Sequence, residues 1–380
     1  MIYLDNAATS WPKPEIVYQT MDKFLREKGG NPGHGSHSLA EAARQTVDET
    51  RMLTARFINA PNVERVIFTL NCTDSINMGL KGLLKPGDHV IISSLEHNAV
   101  IRPLSKLARQ GVKVTRVPVS EASGITLAED IEKAINPKTR LILINHASNV
   151  NGCIQPIEEY GLIARKHNLI FMVDAAQSTG HYPLDVQAAN IDLLAFSAHK
   201  GMLGPPGVGV LYVGPRVDLD SMREGGTGSF SESEDQPDRM PFKFESGTLN
   251  TVGIAGLGAG LKYIQETGQD KISAHEYMLI NILKEELLQV RGVTVFTAKD
   301  ESRQLPVISF NIRGYTPGEV GNILDQSFDI KVRTGLHCSP EAHKSLGTFP
   351  SGTIRVSPGY FNTCEEIEIT IQSIRRIAGR

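Results

Sequence analysis

Seven short apolar runs constrain this chain more than any other feature. They are RVIFTL (65–70), HVIISS (89–94), VKVTRV (112–117), RLILIN (140–145), LIFMVD (169–174), DLLAFS (192–197) and GVLYV (209–213). Most do not alternate apolar with polar residues, so they would be buried on both faces, as strands of a parallel sheet are. Between the first five lie segments with helical spacing. Ser38 with Glu41, and Thr126 with Glu129, have the spacing of capping boxes at helix starts. Gly29–Gly30 and Gly111 read as helix ends. Strands alternating with helices through right-handed crossovers give an α/β fold with a sheet covered on both sides.

The rhythm changes after Gly260. Ser273 with Glu276 reads as a helix start. Strands follow near 293–296 and 306–312, then a helix opened by Thr316, Pro317 and Glu319. Strands near 329–333 and 353–357 and a last helix from Thr363 complete a smaller α+β domain. The segment GGTGSFSESEDQPDRMP (225–241) lacks periodicity; a functional loop and a solvated surface loop fit it equally. A chain of 380 residues is long for a single core, and two domains are expected.

Composition excludes several function classes. The 39 basic and 42 acidic residues balance to −3, so neither nucleic acid nor a membrane surface is an expected partner. No apolar run approaches the roughly 20 residues of a membrane helix. The opening MIYLDNAATS, with Asp5 early, does not read as a signal peptide. Cys72, Cys153, Cys338 and Cys364 are widely spread with no C-x-x-C pair, so neither a disulfide framework nor zinc is expected, and the reducing cytoplasm is the expected compartment. His34 and His37 lack a carboxylate or cysteine at ligand spacing, so no metal is expected there.

Ligands of parallel α/β sheets bind beyond the carboxyl ends of the strands. Thr73 and Ser75 follow the first run at a helix start, a position for a phosphate or for plain capping. His97 follows the second run, and Asn149 lies in the polar turn after the fourth. Asp174 ends the fifth run, where a carboxylate needs a cation or hydrogen-bond donors. Lys200 follows the sixth; a lysine at a buried strand end can lose its proton and attack carbonyls. Late in the chain RTGLHCSP (333–340) sets Cys338 beside His337, and residue types alone leave that thiol open between nucleophile, metal ligand and inert filler. A buried acid, a strand-end lysine and a polar helix start together meet the needs of pyridoxal 5′-phosphate (PLP).

These stretches also carry a family resemblance. YLDNAATSWPKP, EHNAV, VDAAQSTGH, FSAHKGMLGPPGVGVLYV, FESGTLNT and VRTGLHCSP, in that order and almost from end to end, resemble the class V, fold-type I PLP enzymes. Within them they resemble the SufS-like (group II) cysteine desulfurases and selenocysteine lyases. The resemblance implies a large PLP-binding domain at 16–261, with a mainly parallel seven-stranded sheet sandwiched by helices. A smaller α+β domain, 1–15 and 262–380, would carry the cysteine loop.

It implies that Lys200 binds PLP covalently, Asp174 pairs with its ring nitrogen and Gln177 bonds its ring oxygen. His97 would stack on the ring and shuttle protons, while Thr73, Ser197 and His199 hold the phosphate. Thr248 matches a position that reaches the phosphate of a neighbouring subunit, which implies a homodimer. Asn149 and Arg355 match positions that bind the substrate carboxylate, Arg333 and His37 match further pocket positions, and Cys338 matches the sulfur-accepting cysteine.

The implied reaction takes L-cysteine to L-alanine, leaving a persulfide on Cys338 for a sulfur-acceptor protein in iron–sulfur cluster assembly. Arg333 and His337, near in sequence, would favour the thiolate. Rival readings are a lyase for L-selenocysteine, a C–S lyase, an aminotransferase, an epimerase and a non-catalytic scaffold; the retained set of site residues argues against the last. The chain departs from the family's pattern at Asn71-Cys72-Thr73 (usually Gly-Thr-Thr), at EHNAV, which lacks a second His, and at DAAQ (usually DGAQ). Leu336 stands where the family has histidine, which removes a charge from beside the thiol.

Overall fold

All seven apolar runs become strands of one sheet. After a two-residue strand, β1 (Ile2–Tyr3), they are β2 (Val66–Thr69), β3 (His89–Ser93), β4 (Lys113–Val117), β5 (Thr139–Asn145), β6 (Ile170–Asp174), β7 (Leu193–Ser197) and β8 (Gly209–Val213). The computed structural model describes residues 1–33, 35 and 37–379. In it the seven strands lie in the order β2-β8-β7-β6-β5-β3-β4. The five from β3 to β7 run parallel, and β8 runs antiparallel to both β2 and β7.

Continuous apolar sequence puts side chains on both faces. Phe171 and Val173 enter the core that contains Phe196 and Tyr160, while Met172 between them enters the opposite core with Ile92 and Leu211. The edge strand β4 departs from this pattern and exposes Lys113 and Arg116, which discourages pairing with another chain.

The later strands are β9 (Val293–Phe296), β10 (Ile308–Ile312), β11 (Ile330–Lys331), β12 (Arg333–Gly335) and β13 (Thr353–Val356). Four form an antiparallel sheet in the order β12-β13-β10-β9. A third core, including Leu283, Phe310, Leu324, Ile354 and Ile374, joins that sheet to the helices Gln269–Leu288, Pro317–Phe328 and Cys364–Ala378. Strand β1 pairs in parallel with β11, so the first residues of the chain join its last third.

Four local expectations are corrected. Helix Ser38–Phe57 is capped by His37, whose Nδ1 accepts from the Ala40 N–H at 3.3 Å, and Ser38 is already its first residue. Helix Ala128–Lys133 starts beyond Thr126, whose N–H donates to Gln155 Oε1 at 2.9 Å instead of opening a cap. The helix placed at Ser273 begins at Gln269. Ser273 Oγ donates to the His181 carbonyl and Glu276 pairs with the His181 ring, both at 2.6 Å, so this cap-like spacing serves tertiary contacts. The strand expected near 329–333 divides into β11 and β12, which belong to different sheets. The cap at Thr316 forms as a full capping box, as does that at Thr363. Segment 225–241 holds no helix or strand, and His34 lies outside the described residues.

Candidate active site

The carboxyl ends of β2, β3, β5, β6 and β7 converge on a cavity of about 340 Å³, in the usual range for small-molecule sites of about 300–1,000 Å³. Thr73, His97, Asn149, Asp174, Gln177, Ser197, His199 and Lys200 all line it, as do Cys72 and Asn145. The site that the sequence pattern assembled from five separate turns is therefore one place in the fold.

Lys200 is held by close backbone packing. A Cβ on Gly201 would lie 2.4 Å from the Thr179 carbonyl oxygen, so only glycine lets the turn after Lys200 lie against the turn after β6. The N-terminal segment straps the same turn from outside. Ser10 Oγ donates to the Lys200 carbonyl at 3.0 Å, and Lys13 Nζ donates to the His199 carbonyl at 2.9 Å. Burial lowers the pKa of Lys200, which makes its neutral, nucleophilic form accessible.

Asp174 ends β6 with its Oδ1 accepting from the Ala176 N–H at 3.0 Å and from the Cys72 thiol at 3.5 Å. Burial pushes the Cys72 thiol well above its ordinary pKa, so it stays a donor to the carboxylate. His97 caps helix Asn98–Arg109, its Nδ1 accepting from the Ala99 N–H at 3.0 Å, which leaves the proton on Nε2. Burial lowers its pKa to about 4, so the ring is neutral at pH 7. His199 is likewise lowered to about 4, chiefly by burial. Gln177 Nε2 donates to the Ala7 carbonyl at 3.0 Å.

The donors beside this cavity suit an anion. In the first turn of helix Cys72–Leu83, the Cys72 N–H donates to Ser197 Oγ at 2.9 Å and the Asp74 N–H to Asn71 Oδ1 at 3.0 Å. That leaves the Thr73 N–H as the first-turn amide with no protein acceptor among the described residues. With the Thr73 and Ser197 hydroxyls and the His199 ring, it makes a donor set of the kind that suits an anion at a helix N-terminus. Ser75 does not belong to it; its hydroxyl is buried 2.7 Å from Thr69 Oγ1. Asn145 Oδ1, in the cavity lining, and Arg355 Nε are buried with no hydrogen-bond partner among the described residues, one acceptor and one donor. The donor set fits PLP and an amino-acid carboxylate.

Cys338 stands at the mouth. It lines a second opening together with Thr73 and His97, both shared with the Lys200 cavity. Arg333 Nη2 donates to Cys338 Sγ at 3.4 Å. His337 does not help the thiol. Its ring is buried, with Nε2 3.0 Å from Thr353 Oγ1, and burial drives its pKa far down. Of the two neighbours expected to favour the thiolate, Arg333 alone is in contact with the sulfur.

The loop is anchored to the large sheet. Asn149 Nδ2 donates to the His337 carbonyl at 2.6 Å, Ser339 Oγ donates to Asn149 Oδ1 at 2.7 Å, and the Asn98 N–H donates to the Cys338 carbonyl at 2.8 Å. His337 and Cys338 adopt left-handed backbone conformations, φ +46° and +62°, which cost of order 1–3 kcal/mol each and recur at functional sites.

Arg355 is fully buried, donating to the Asn149 carbonyl at 3.1 Å and pairing with Asp5 at 2.6 Å. Asp5, Cys72 and Asn145 are contributors that sequence reasoning missed. Asp5 was visible only as part of YLDNAATS, and Cys72 only as the neighbour of Thr73. His37 and Thr248 do not reach the Lys200 cavity of their own chain. Both line another cleft, of about 1,090 Å³, with Arg44, Arg51 and Glu245.

The comparisons with known proteins agree with this geometry. The family model for aminotransferase class-V matches residues 2–369. A probable cysteine desulfurase of Methanothermobacter thermautotrophicus is 37% identical over 384 residues, covering 100% of this chain and 95% of that protein. A cysteine desulfurase of Salmonella agona is 34% identical over 387 residues, covering 99% of this chain and 93% of that protein. The apo structure of the cysteine desulfurase from Thermococcus onnurineus superposes with a TM-score of 0.93 at 34% identity, covering 100% and 94% of the two chains. A fold-type I sheet, a lysine cavity beyond its strand ends and end-to-end similarity to cysteine desulfurases lead to one conclusion: this chain belongs to the class V aminotransferase family.

Proposed function

We propose that this chain is a PLP-dependent cysteine desulfurase that takes L-cysteine to L-alanine and carries the sulfur as a persulfide on Cys338. The observation that carries this reading is one continuous site. Lys200, Asp174 and Gln177 share a cavity, and an arginine-contacted thiol stands at its mouth. Residues 16–261 supply the cofactor site; 1–15 and 262–380 form the small domain that brings Cys338 and Arg355.

When bound, PLP supplies an electron sink for negative charge at the substrate α-carbon. Lys200 Nζ would hold the cofactor aldehyde and would also be the base placed to move a proton at the substrate α-carbon. Asp174, with Cys72 and the Ala176 N–H on its Oδ1, stands ready to pair with the ring nitrogen. Gln177 would serve the ring oxygen, His97 would cover the ring, and Thr73, Ser197 and His199 would hold the phosphate. Arg355, through its free Nε, and Asn149 orient the substrate carboxylate.

The Cys338 thiolate attacks the substrate sulfur. The carbon–sulfur bond breaks, its electron pair stays on the β-carbon, and that carbon takes a proton, so alanine and a Cys338 persulfide result. Arg333 stabilises the attacking sulfur. Thr248 and His37, in their separate cleft, act on the neighbouring active site of a homodimer. The sulfur then passes to an acceptor protein for iron–sulfur cluster assembly in the cytoplasm.

Borohydride treatment of the PLP-loaded protein followed by peptide mass analysis tests the cofactor assignment. The expected result is a reduced pyridoxyl adduct on Lys200; no adduct there, with PLP in excess, contradicts it.

A further inference from the structure

The opening beside Cys338, about 370 Å³, carries three cations, Lys81, Arg102 and Lys106, and no carboxylate among its lining residues. Arg102 and Lys106 are four apart on helix Asn98–Arg109, a spacing at which like charges repel. That helix, NAVIRPLSKLAR, contains no acid. Lys81 comes from helix Cys72–Leu83, which packs against it and whose one acid, Asp74, is paired with Arg223 at 3.0 Å. Lys81, Arg102 and Lys106 form no salt bridge among the described residues, so the opening beside Cys338 keeps its positive charge.

The geometry gives this charge a direction. The N-terminus of helix Asn98–Arg109 touches the cysteine loop, the Asn98 N–H donating to the Cys338 carbonyl. At about 1.5 Å rise per residue, Arg102 and Lys106 lie roughly 6 and 12 Å further along the axis. An extended peptide advances about 3.3 Å per residue, so some four residues span that distance.

We propose that this groove receives an acidic peptide segment of a carrier protein whose cysteine accepts the sulfur, the thiol meeting Cys338 while adjacent carboxylates meet Arg102, Lys106 and Lys81. The proposal rests on the desulfurase reading and adds the chemistry of the acceptor. In the transfer, the acceptor thiolate attacks the outer sulfur of the Cys338 persulfide. The bond between that sulfur and Cys338 Sγ breaks, a new sulfur–sulfur bond forms on the acceptor, and Cys338 leaves as a thiolate that takes the acceptor's proton. A persulfide and a thiol become a thiol and a persulfide, with no net oxidation.

The test uses PLP-loaded protein first charged with L-cysteine, and two synthetic peptides of equal length, a cysteine followed by three glutamates or by three glutamines. At low ionic strength the glutamate peptide should take sulfur roughly tenfold faster. The advantage should vanish above about 0.5 M salt, and in the variant Lys81→Glu/Arg102→Glu/Lys106→Glu. Alanine release with dithiothreitol, a neutral thiol, should stay at the wild-type level in that variant, showing fold and carbon–sulfur cleavage intact. If the variant fails to fold, the salt dependence of the wild type decides. Equal rates for the two peptides, or a preference that survives salt or charge reversal, overturns the proposal. If no persulfide forms on Cys338 and no alanine is released by the wild type, it is the desulfurase reading that fails.

Discussion

Arg333 reaches forward five residues along the chain to place its Nη2 3.4 Å from the sulfur of Cys338. A hydrogen bond to a charged group contributes about 1.5–3 kcal/mol, equivalent to roughly 10–100-fold in rate if it forms fully with the attacking thiolate. Arg333→Ala should lower the rate of persulfide formation by about that factor and slow alkylation of Cys338 by iodoacetamide in the absence of substrate. A variant with unchanged alkylation and only a raised KM would assign Arg333 to the substrate carboxylate instead.

Cys72 is the chain's own replacement for a family threonine, and its thiol bonds the Asp174 carboxylate. Cys72→Thr keeps a donor at this position; Cys72→Ala does not. A neutral hydrogen bond contributes about 0.5–1.5 kcal/mol, so Cys72→Ala should weaken PLP binding by roughly 3–10-fold, with Cys72→Thr near the wild type. A spectroscopic PLP titration of the apoprotein reads this directly, and equal affinities for all three proteins would remove Cys72 from the account.

Glu96 is buried behind His97. Its Oε1 accepts from Ser93 Oγ at 2.6 Å and from the Asn145 N–H at 3.1 Å, while its Oε2 has no partner among the described residues. Burial raises its pKa from 4.5 to about 8. The folded state thus holds a proton that the unfolded state releases, so this contribution to stability is full below pH 4.5 and is lost as pH rises through about 8. Glu96→Gln keeps an Oε1 acceptor and removes the titration. Its Tm should fall less than that of the wild type between pH 5 and 8.5, roughly the interval over which the group titrates; parallel Tm profiles would contradict this.

Arg51 and Glu245 form a buried bidentate pair, at 2.6 and 2.9 Å, and Glu245 also accepts from the Phe68 N–H at 2.7 Å. The pair ties the FESGT segment, and with it Thr248, to β2. Arg51→Met leaves a buried carboxylate without its cation and should destabilise the protein by about 3–5 kcal/mol in urea unfolding. Arg51→Met/Glu245→Leu should recover part of that loss, because it removes the unpaired charge as well. A double variant as unstable as the sum of the singles would contradict this reading of the pair.

Much of this was legible in the sequence because buried parallel strands must be apolar throughout and ligand residues must follow them. That logic placed Asp174, Lys200, His97 and Asn149 in one cavity before any coordinates. It failed where spacing has two physical uses. Ser273 and Glu276 are spaced as a cap, yet both bind His181, because the helix had already begun at Gln269. His337 adjoins Cys338 in sequence, yet its ring is buried with Nε2 bonded to Thr353 Oγ1, and it is Arg333 that contacts the sulfur. The Arg355–Asp5 pair spans 350 residues, and no local pattern encodes such a contact.

The central claim is that Cys338 takes the sulfur of L-cysteine. Its most direct measurement is mass analysis of the Cys338 peptide after one turnover of the PLP-loaded protein with L-cysteine and no added thiol, with alanine counted in the same sample. The account predicts one additional sulfur, about 32 Da, on that peptide and an equal amount of alanine, both lost in Cys338→Ser. Undiminished alanine from Cys338→Ser, or alanine without added mass on Cys338, would contradict it.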